Sequence, residues 1–411
     1  MNGASSHLSP APKPIRVPDV EDNEADSLQP LATPSGRSSL LNSISRHSSY
    51  IRSLLVNDPA AQRAVRISGQ DLDASPFTPL SCQPTPLQQF VESLGDTFLV
   101  ARLALLLWSY LGPCGRWFFK FLCLLMYTCF LLPGFIQMGM FYFGSSRVLR
   151  SITYGPNPRN RLDLYVPRNH WRMESGPRPV VIYITGGAWM IGYKAWGSLL
   201  GRRLSKQGVL VCCLDYRNFP QGTITDMLED VNTGIAWVLS RCGSYGGDTS
   251  RVYLVGQSCG AQLGTLALIT QAEQEAQEGH AQLPGGHPPW SPQAIKGLMK
   301  LLSPTYCVKG VHWGHTLPSV LLLHGTADTC APLNNAVQFA EALREAGANV
   351  EVKWYDGQTH TSPLIENPMR GHDVLTDDIL SWVMEDPNRH TNQFPLCPAV
   401  LIGLAALVCP F

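Results

Sequence analysis

The sequence is short of charged side chains and has no excess of either sign. Asp, Glu, Lys and Arg make up 15% of the 411 residues, compared with roughly 25% in a typical soluble domain. The 31 basic residues balance the 31 acidic residues, so no overall field would attract nucleic acid. The composition therefore argues against nucleic acid as a partner. It predicts a membrane-embedded part or an extensive apolar surface.

The sequence also lacks the cysteine patterns of a metal site or a disulfide scaffold. Its 12 cysteines are too dilute for such a scaffold, no CxxC pair occurs, and no His/Cys cluster has zinc spacing. Cys212 and Cys213 lie inside an apolar run and are predicted to be buried free thiols. We therefore expect no metal and no cofactor. A reducing, cytosol-facing location fits these thiols, and an oxidising lumen stays open.

Composition divides the chain into four parts. Residues 1–96 are rich in Ser and Pro and are predicted to be disordered, because they cannot bury enough apolar surface to offset their conformational entropy. Residues 97–145 form an apolar segment, and residues 150–388 have the composition of one globular domain. Residues 389–411 form an apolar tail. We interpret the tail as a helix packed on a sheet, an interfacial anchor or an aberrant end.

The apolar segment has a stretch that is long enough to cross a bilayer. Residues 121–143 contain no charge, whereas the apolar run at 98–111 is short for a span and contains an arginine. A turn signal at 112–115 separates the two. The favoured interpretation is membrane insertion, as a helical hairpin or as one span plus an interfacial helix. The alternative is a helix that packs against the globular domain.

From about residue 151 short apolar runs alternate with helix-like stretches. The predicted strands are 161–165, 180–184, 209–214, 252–255, 320–323 and 349–355. The predicted helices are 195–207, 223–241, 260–276 and 333–346. Uninterrupted apolar runs with β-branched residues are typical of strands buried on both faces of a parallel sheet. The alternation therefore predicts an α/β fold with a mostly parallel central sheet and helices on both faces.

A GxSxG pentapeptide, Gly-Gln-Ser-Cys-Gly, occupies residues 256–260 between a strand-like run and a helix-like run. A nucleophile elbow requires this context, since its serine occupies a sharp turn between strand and helix. Ser258 is therefore predicted to be a catalytic nucleophile, with Gln257 and Cys259 beside it in the site. The alternative is an ordinary strand–turn–helix connection with an incidental serine.

A serine nucleophile needs a general base, and the base needs an orienting carboxylate. In an α/β hydrolase the aspartate and then the histidine follow the serine along the chain. Asp328 follows a predicted buried strand, and His360 follows the last predicted strand. The order predicts a triad of Ser258, Asp328 and His360, and the alternatives are a loop or capping aspartate and a surface histidine. Asp356 ranks second as the acid, and His324 is expected to support the loop.

A glycine pair follows the predicted strand at 180–184 and suits an oxyanion hole. Backbone N–H groups of such a loop can turn toward the negative oxygen that develops during ester cleavage. We assign Gly187 and Ala188 as donors, with Gly186 shaping the turn. The N–H of Cys259, the residue after the nucleophile, is the third predicted donor. The alternative is a plain glycine loop.

Five blocks of the sequence resemble, in order, the plant isoprenylcysteine carboxyl methylesterases. The blocks are TGGAWMIGYKAWG (185–197), LDYRNFPQG (214–222), GGDTSRVYLVGQSCGA (246–261), HGTADTCAP (324–332) and YDGQTHTSPLIENPMRG (355–371). These enzymes are HGGG-type esterases of the α/β-hydrolase fold, and the resemblance runs from about residue 97 to 385.

The resemblance implies hydrolysis of the methyl ester on the prenylated C-terminal cysteine of proteins. It also implies association with endoplasmic reticulum and Golgi membranes. The family's triad positions are occupied by Ser258, Asp328 and His360. Its oxyanion positions are occupied by Gly186, Gly187, Ala188 and Cys259.

The chain departs from this family in two places. The elbow of the family usually reads GQSAG, with alanine where Cys259 stands. Ser258 and Asp328 are also several tens of residues closer together here than in relatives, and residues 307–316 match nothing recognised. A deleted segment would explain the spacing, and its loss would open the acyl pocket, expose sheet surface or abolish folding.

A membrane location also suits the implied substrate. A prenyl group is an apolar chain that partitions into bilayers, so an enzyme that cleaves beside it gains from lying at the membrane surface. The expected partners are prenylated, carboxyl-methylated proteins and the membrane, with the catalytic domain facing the cytosol. Other lipid esters fit equally well, which leaves a membrane carboxylesterase or lipase as an alternative. A catalytically dead scaffold is a second alternative.

Overall fold

The structure is a computed structural model that describes residues 116–168, 176–278, 290–301, 317–387 and 394–409, with isolated helical positions between 91 and 105. All of these positions belong to one unit of the chain, Ala74–Phe411. Residues 1–90 of the region predicted to be disordered, the turn signal at 112–115 and the unusual stretch at 307–316 lie outside the described residues.

The described elements alternate between strand and helix. The strands are β1 (Val148–Thr153), β2 (Arg161–Tyr165), β3 (Arg178–Ile184), β4 (Leu210–Leu214), β5 (Gly247–Gln257), β6 (Ile295–Leu301), β7 (Ser319–Gly325) and β8 (Val350–Tyr355). The α-helices are α1 (Arg116–Gly144), α2 (Ser198–Lys206), α3 (Ile224–Arg241), α4 (Cys259–Glu278), α5 (Leu333–Glu345), α6 (Glu366–Arg370), α7 (Val374–Met384) and α8 (Ala399–Val408). Short 3₁₀ turns lie at Lys194–Gly197, Cys242–Tyr245 and Pro292–Ala294.

The eight strands form one sheet in the order β1-β2-β4-β3-β5-β6-β7-β8. The pairs β1–β2 and β2–β4 are antiparallel, and every pair from β4 onward is parallel. This is the predicted α/β-hydrolase fold. Because the carboxyl ends of parallel strands share one edge of the sheet, the loops after β3, β5, β7 and β8 meet there.

The apolar strands are buried on both faces, as their uninterrupted hydrophobic runs predict. In β4 all five residues are buried. Leu210, Cys212 and Leu214 pack on the face that α3 and α5 cover, and Val211 and Cys213 pack with α2 and α7 on the other. Both cysteines are free and fully buried, so the prediction for them is confirmed.

The sheet is continuous across the connection in which the sequence predicts a deleted segment. β6 and β7 pair in parallel from Gly297 opposite Ser319 to Leu301 opposite Leu323. A parallel crossover needs a dozen or more residues, and residues 302–318 provide that length. The shorter connection is therefore compatible with an unbroken sheet.

Helix α1 packs against the catalytic domain along one side. Its buried positions Tyr127, Leu131, Gly134, Met138 and Tyr142 are spaced four, three, four and four residues apart, which is the helical period. The part from Phe119 to Gly144 is long and apolar enough to cross a membrane by length and composition. The short apolar tail helix α8 packs against α1 and α6.

Candidate active site

The elbow around Ser258 is a tight turn between β5 and α4. Ser258 has φ +50°, in the left-handed region, and its N–H donates to the carbonyl of Leu301 at 2.7 Å. A Cβ at Gly260 would lie 2.3 Å from the carbonyl oxygen of Ile184. Gly256 is equally tight, since its Cβ would lie 2.3 Å from the Cα of Ala261. Both glycines of the pentapeptide are therefore required by close backbone contacts.

The structure brings the three predicted triad residues together. The Nε2 atom of His360 lies 3.3 Å from the Ser258 Oγ, and its Nδ1 atom lies 2.8 Å from the Asp328 Oδ2. Asp328 is at the end of the β7 loop, and His360 is in the loop after β8, so the sheet edge sets their separation. In this geometry the imidazole can accept the serine proton while the carboxylate holds the opposite ring nitrogen.

The Asp328 carboxylate is buried and fully oriented. Its Oδ1 accepts the backbone N–H groups of Cys330 at 2.9 Å and Ala331 at 2.8 Å. Burial alone would raise the pKa of Asp328. The hydrogen bonds from His360 and the Ala331 N–H outweigh it and lower the pKa below the ordinary value. Asp328 therefore stays an anion and holds a fixed position.

The two lower-ranked candidates lie where the sequence predicts. His324 is buried at the end of β7, and its Nε2 lies 2.8 Å from the carbonyl oxygen of Ala331, so it supports the loop that carries Asp328. Burial lowers the pKa of His324. The carboxylate of Asp356 instead accepts from the Thr326 hydroxyl at 3.2 Å on the surface, away from the hydrogen bonds of His360.

The loop after β3 has a strained backbone. Gly187 has φ +120°, and the next two residues, Ala188 and Trp189, have φ +50° and +61°. Two consecutive non-glycine residues in the left-handed region are costly, and such strain collects at functional sites. Gly186 lies directly against the elbow, since its Cβ would be 3.0 Å from the Ser258 Cβ. The predicted oxyanion residues therefore adjoin the nucleophile.

The side chain of Cys259 points inward, under the loop after β3. It is 1% exposed, and its Sγ accepts the backbone N–H of Trp189 at 3.3 Å and lies 3.6 Å from the Tyr216 hydroxyl. Burial raises the pKa of this thiol, so it stays protonated. A thiol in this state is a poor nucleophile. The side-chain oxygen of Gln257, also predicted to belong to the site, accepts from the Tyr183 hydroxyl at 2.7 Å.

Sequence reasoning missed the residues that hold the far end of the loop after β3. The carbonyl of Gly192 accepts hydrogen bonds from Arg159 and from Asn218, both at 2.7 Å. Arg159 in turn forms a buried ion pair with Asp215. Arg159 lies far from the loop in sequence, so no local pattern reveals this support. Asp215 and Asn218 stand within a block that carries the family resemblance, and this is the signal that could have found them.

Three side chains in the site are of the types that bind metal ions. Single donor atoms of Asp328, Cys330 and His360 lie within 4.8 Å of one another. Asp328 and His360 already bind each other at 2.8 Å, and the other carboxylate oxygen accepts two backbone N–H groups. These atoms are thus committed to the triad, and the expectation that the reaction needs no metal stays a prediction.

Comparisons with known proteins identify similar sequences and structures. Residues 162–285 match the family model BD-FAE, and residues 287–387 match that of the prolyl oligopeptidase family. The chain is 39% identical over 372 residues to "Probable isoprenylcysteine alpha-carbonyl methylesterase ICMEL1" of Arabidopsis thaliana, with 80% of this chain and 76% of the relative covered. It is 38% identical over 374 residues to isoprenylcysteine alpha-carbonyl methylesterase ICME of the same plant, with 79% and 85% covered.

One solved structure is similar to part of this chain. It is a truncated form of a carbohydrate esterase from gut microbiota, with a TM-score of 0.47, 18% identity and coverage of 59% of this chain and 97% of that chain. The two plant alignments are longer than the share of this chain that they cover, so both contain gaps in this chain. A deletion between Ser258 and Asp328 stays a prediction.

Proposed function

Because the chain belongs to the isoprenylcysteine alpha-carbonyl methylesterase family and is a serine esterase, we propose that it hydrolyses the methyl ester on the prenylated C-terminal cysteine of proteins. Water is consumed, and the products are the free prenylcysteine carboxylate and methanol. The observation that carries this proposal is the hydrogen-bonded line from Asp328 through His360 to Ser258, in a chain of this family.

The first half of the reaction forms an acyl-enzyme. His360 Nε2 takes the proton of the Ser258 hydroxyl while the Oγ attacks the ester carbonyl carbon. The Asp328 carboxylate stabilises the imidazolium that results, and its lowered pKa keeps it charged for this purpose. The imidazolium then gives its proton to the methoxy oxygen, and methanol leaves as the carbonyl re-forms.

The second half of the reaction hydrolyses the acyl-enzyme and regenerates the free enzyme. Water attacks the acyl carbon and loses a proton to His360, and the serine regains that proton as the carboxylic acid leaves. In both halves the negative oxygen of the tetrahedral intermediate accepts the backbone N–H groups of Gly187, Ala188 and Cys259. The supports described above, Gly186 against the elbow and the anchored carbonyl of Gly192, keep those donors in place.

An apolar surface beside the triad supports a prenylated substrate. Thr361, next to His360, has its hydroxyl 3.3 Å from the Sγ of Cys409 at the end of the tail helix. That helix and α1 expose large apolar side chains. The prenyl chain is joined to the ester carbonyl through the thioether sulfur, the Cβ and the Cα of one cysteine, so it can lie on this surface while the ester reaches Ser258.

We further propose that the enzyme works on endoplasmic reticulum and Golgi membranes with its catalytic domain in the cytosol. The free buried thiols of Cys212 and Cys213 suit a reducing compartment. A fluorescent fusion should overlap with markers of both organelles, and protease added to sealed microsomes should digest the catalytic domain. Protection of the domain until detergent is added would contradict the cytosolic orientation.

The substrate proposal is tested by competition between two esters. A farnesylcysteine methyl ester should be cleaved with a much higher kcat/KM than p-nitrophenyl acetate, because only the first offers an apolar chain to the surface beside the triad. A preference for the short acyl ester, or for acyl glycerides, would favour a general membrane carboxylesterase or lipase.

The rival from another class is a catalytically dead scaffold. The hydrogen-bonded triad and the strained backbone at Ala188 and Trp189 favour an enzyme, since neither feature serves a scaffold. A fluorophosphonate probe reacts only with an activated serine. Failure of the full-length, folded protein to be labelled would support the scaffold.

A further inference from the structure

Helices α1 and α8 expose many large apolar side chains on the surface of the protein. No charged residue occurs in residues 121–146 or in the tail from 394 onward. The side chains that are at least 40% exposed are Phe119, Phe121, Leu122, Leu125, Met126, Leu132, Ile136, Met140, Phe143, Phe394, Val400, Leu404 and Leu407. We call these side chains the apolar face. An exposed apolar patch of this size marks a partner or membrane surface.

Helix α1 is held by the catalytic domain at several points along its length. Gly134 packs against the Met369 side chain, and the side chain of Gln137 donates to the Leu396 carbonyl at 2.7 Å. Near the carboxyl end, the Tyr142 hydroxyl donates to the Asp163 carboxylate at 2.7 Å, and Arg150 donates to the Tyr142 carbonyl at 2.8 Å.

These attachments are incompatible with a helix that crosses the bilayer alone. The bound stretch from Tyr127 to Tyr142 is about 22 Å long, compared with a hydrocarbon core of about 30 Å. If α1 crossed the membrane with these contacts intact, Arg150, Asp163 and the strand that carries Asp163 would enter the hydrocarbon, where charged groups are costly. A helix that lies flat immerses only its exposed side, which is the apolar face.

A cluster of basic side chains borders the carboxyl half of α1. The guanidinium groups of Arg147 and Arg202 lie 5.7 and 5.2 Å from the ring centre of Phe141. Burial and the neighbouring positive charges lower the pKa of Arg147 and of Lys206, and the charges that act include Arg168. We call Arg147, Arg168, Arg202 and Lys206 the basic cluster.

The basic cluster has charge that the described part of the chain does not neutralise. None of its four members forms an ion pair with a described carboxylate. The Nη1 of Arg147 and the Nε of Arg202 are buried and lack hydrogen-bond partners among the described residues. A cavity of about 260 Å³ joins the cluster to the apolar face, since Arg202 and Lys206 line it together with Phe394 and Leu396.

We propose that this side of the protein is a binding site for the surface of an anionic phospholipid bilayer. The basic cluster binds the phosphate-bearing headgroups, and the apolar face of α1 and α8 lies flat among the upper parts of the acyl chains. The charge complementarity selects the occupant, because a second copy of the chain would oppose one basic cluster with another in a symmetric contact. The inference does not depend on which ester the enzyme cleaves.

Vesicle flotation of the full-length protein tests the proposal. Protein purified in mild detergent is diluted into vesicles of phosphatidylcholine, with or without phosphatidylserine, and the floated fraction is measured. We expect stronger binding to the anionic vesicles, weakening with added salt and release into carbonate. Each basic side chain near an anionic surface contributes about a fivefold change in partition. The triple variant Arg147→Gln/Arg202→Gln/Lys206→Gln should therefore bind anionic vesicles about a hundredfold less tightly.

Two further variants separate the headgroup site from general effects on charge and folding. Arg251→Gln/Lys296→Gln/Arg344→Gln removes the same charge elsewhere and should bind like wild type within a fewfold. Arg147→Lys/Arg202→Lys keeps the charge and should retain anionic binding. All variants should hydrolyse a soluble ester at the wild-type rate, which reports folding.

Three results would overturn the proposal. Equal binding of wild type to neutral and anionic vesicles would show that the protein has no site for anionic headgroups. An equal loss of vesicle binding in the two triple variants would show that net charge, and not the basic cluster, determines binding. Wild-type protein that stays in the membrane through carbonate extraction would make α1 a spanning helix.

Discussion

Two stretches of this chain are equally free of charge but end in opposite environments. Residues 252–272 run from the end of β5 through the elbow into α4, and residues 121–146 cover most of α1 and the turn after it. No position of the first stretch is exposed, whereas half of the α1 positions in the second are exposed. Absence of charge thus predicts an apolar environment, and the neighbours decide whether that environment is the protein core or an outer surface.

Glycine and turn chemistry separate the two stretches. Residues 252–272 change from strand to helix at Ser258, and both elbow glycines are packed against backbone atoms. Helix α1 runs without such a turn, and a Cβ at its Gly139 would meet nothing within 4 Å. The first stretch is a rigid site with neighbours on every side, and the second is a helix with one side unpartnered by the described protein.

The largest expected effect is the loss of catalysis at Ser258, in the first stretch, with no change in the second stretch. Asp328→Asn should lower kcat by about 10⁴, because the imidazole loses the anion that fixes its tautomer and stabilises its charged form. Membrane binding should be unchanged. Steady-state hydrolysis and vesicle flotation of the same protein check both parts. Asp356→Asn is the matched control, and a loss in that variant instead would assign the acid to Asp356.

Replacing one glycine by alanine in each stretch compares the stability of the two stretches. Gly260→Ala should destabilise the fold by about 3 kcal/mol, because its Cβ meets backbone carbonyls that cannot move away. Gly139→Ala in α1 has free space and should stabilise the helix by up to about 1 kcal/mol. Urea unfolding of both variants measures the difference. Equal effects would show that the elbow is looser than the structure describes.

Acid should lower the stability of the catalytic region but should not affect residues 121–146, which have no charged residue. Burial lowers the pKa of His324 in the folded protein below the unfolded value, which is about 6.5. Below that pH His324 binds a proton in the unfolded chain but stays neutral in the folded protein until the pH falls to its lowered pKa. The stability from neutral His324 is therefore present above about pH 6.5 and lost as pH falls, with a limiting slope of about 1.4 kcal/mol per pH unit.

Urea unfolding between pH 7 and pH 5 measures this slope. The variant His324→Gln keeps a donor for the Ala331 carbonyl but no longer titrates, so its stability should depend less on pH in that window. An unchanged slope would exclude His324 as its source.

The smallest expected effect compares two cysteines. Cys259→Ala keeps the backbone N–H that we propose as an oxyanion donor but removes the sulfur that accepts the Trp189 N–H, so kcat/KM should fall about two- to threefold, in line with the loss of one weak hydrogen bond. Cys129, exposed on α1, is the control, and Cys129→Ala should leave kcat/KM unchanged. A loss of several orders of magnitude in Cys259→Ala would instead favour a thiol nucleophile.

Most of the fold and the predicted triad were available from local sequence patterns. The six predicted strands are present, because uninterrupted apolar runs mark strands that are covered on both faces. β1 was absent from that prediction, and β6 was recognised only as the inner stretch that leads into the strand before Asp328, because both contain buried polar residues. Arg150 in β1 is satisfied by the Tyr142 carbonyl, and Lys300 in β6 lies over the Phe339 ring. Such partners come from distant parts of the chain, so a local pattern does not reveal them.

The support of the oxyanion loop could not be predicted for the same reason. Arg159 and Asp215 are 56 residues apart and meet only when β2 lies beside β4. The helical interpretation of residues 121–143 was available from composition, but the side on which α1 packs depends on Met369, Leu396 and Asp163. Composition identifies the apolar segment, and tertiary contacts define its orientation.

The most direct test of the account is methanol release from farnesylcysteine methyl ester by wild type and by Ser258→Ala, with fluorophosphonate labelling of both proteins. Wild type should release methanol and be labelled, with no effect of a metal chelator. Ser258→Ala should do neither while it still binds vesicles, since it retains α1 and α8. Methanol release or labelling that survives in folded Ser258→Ala protein would contradict Ser258 as the nucleophile.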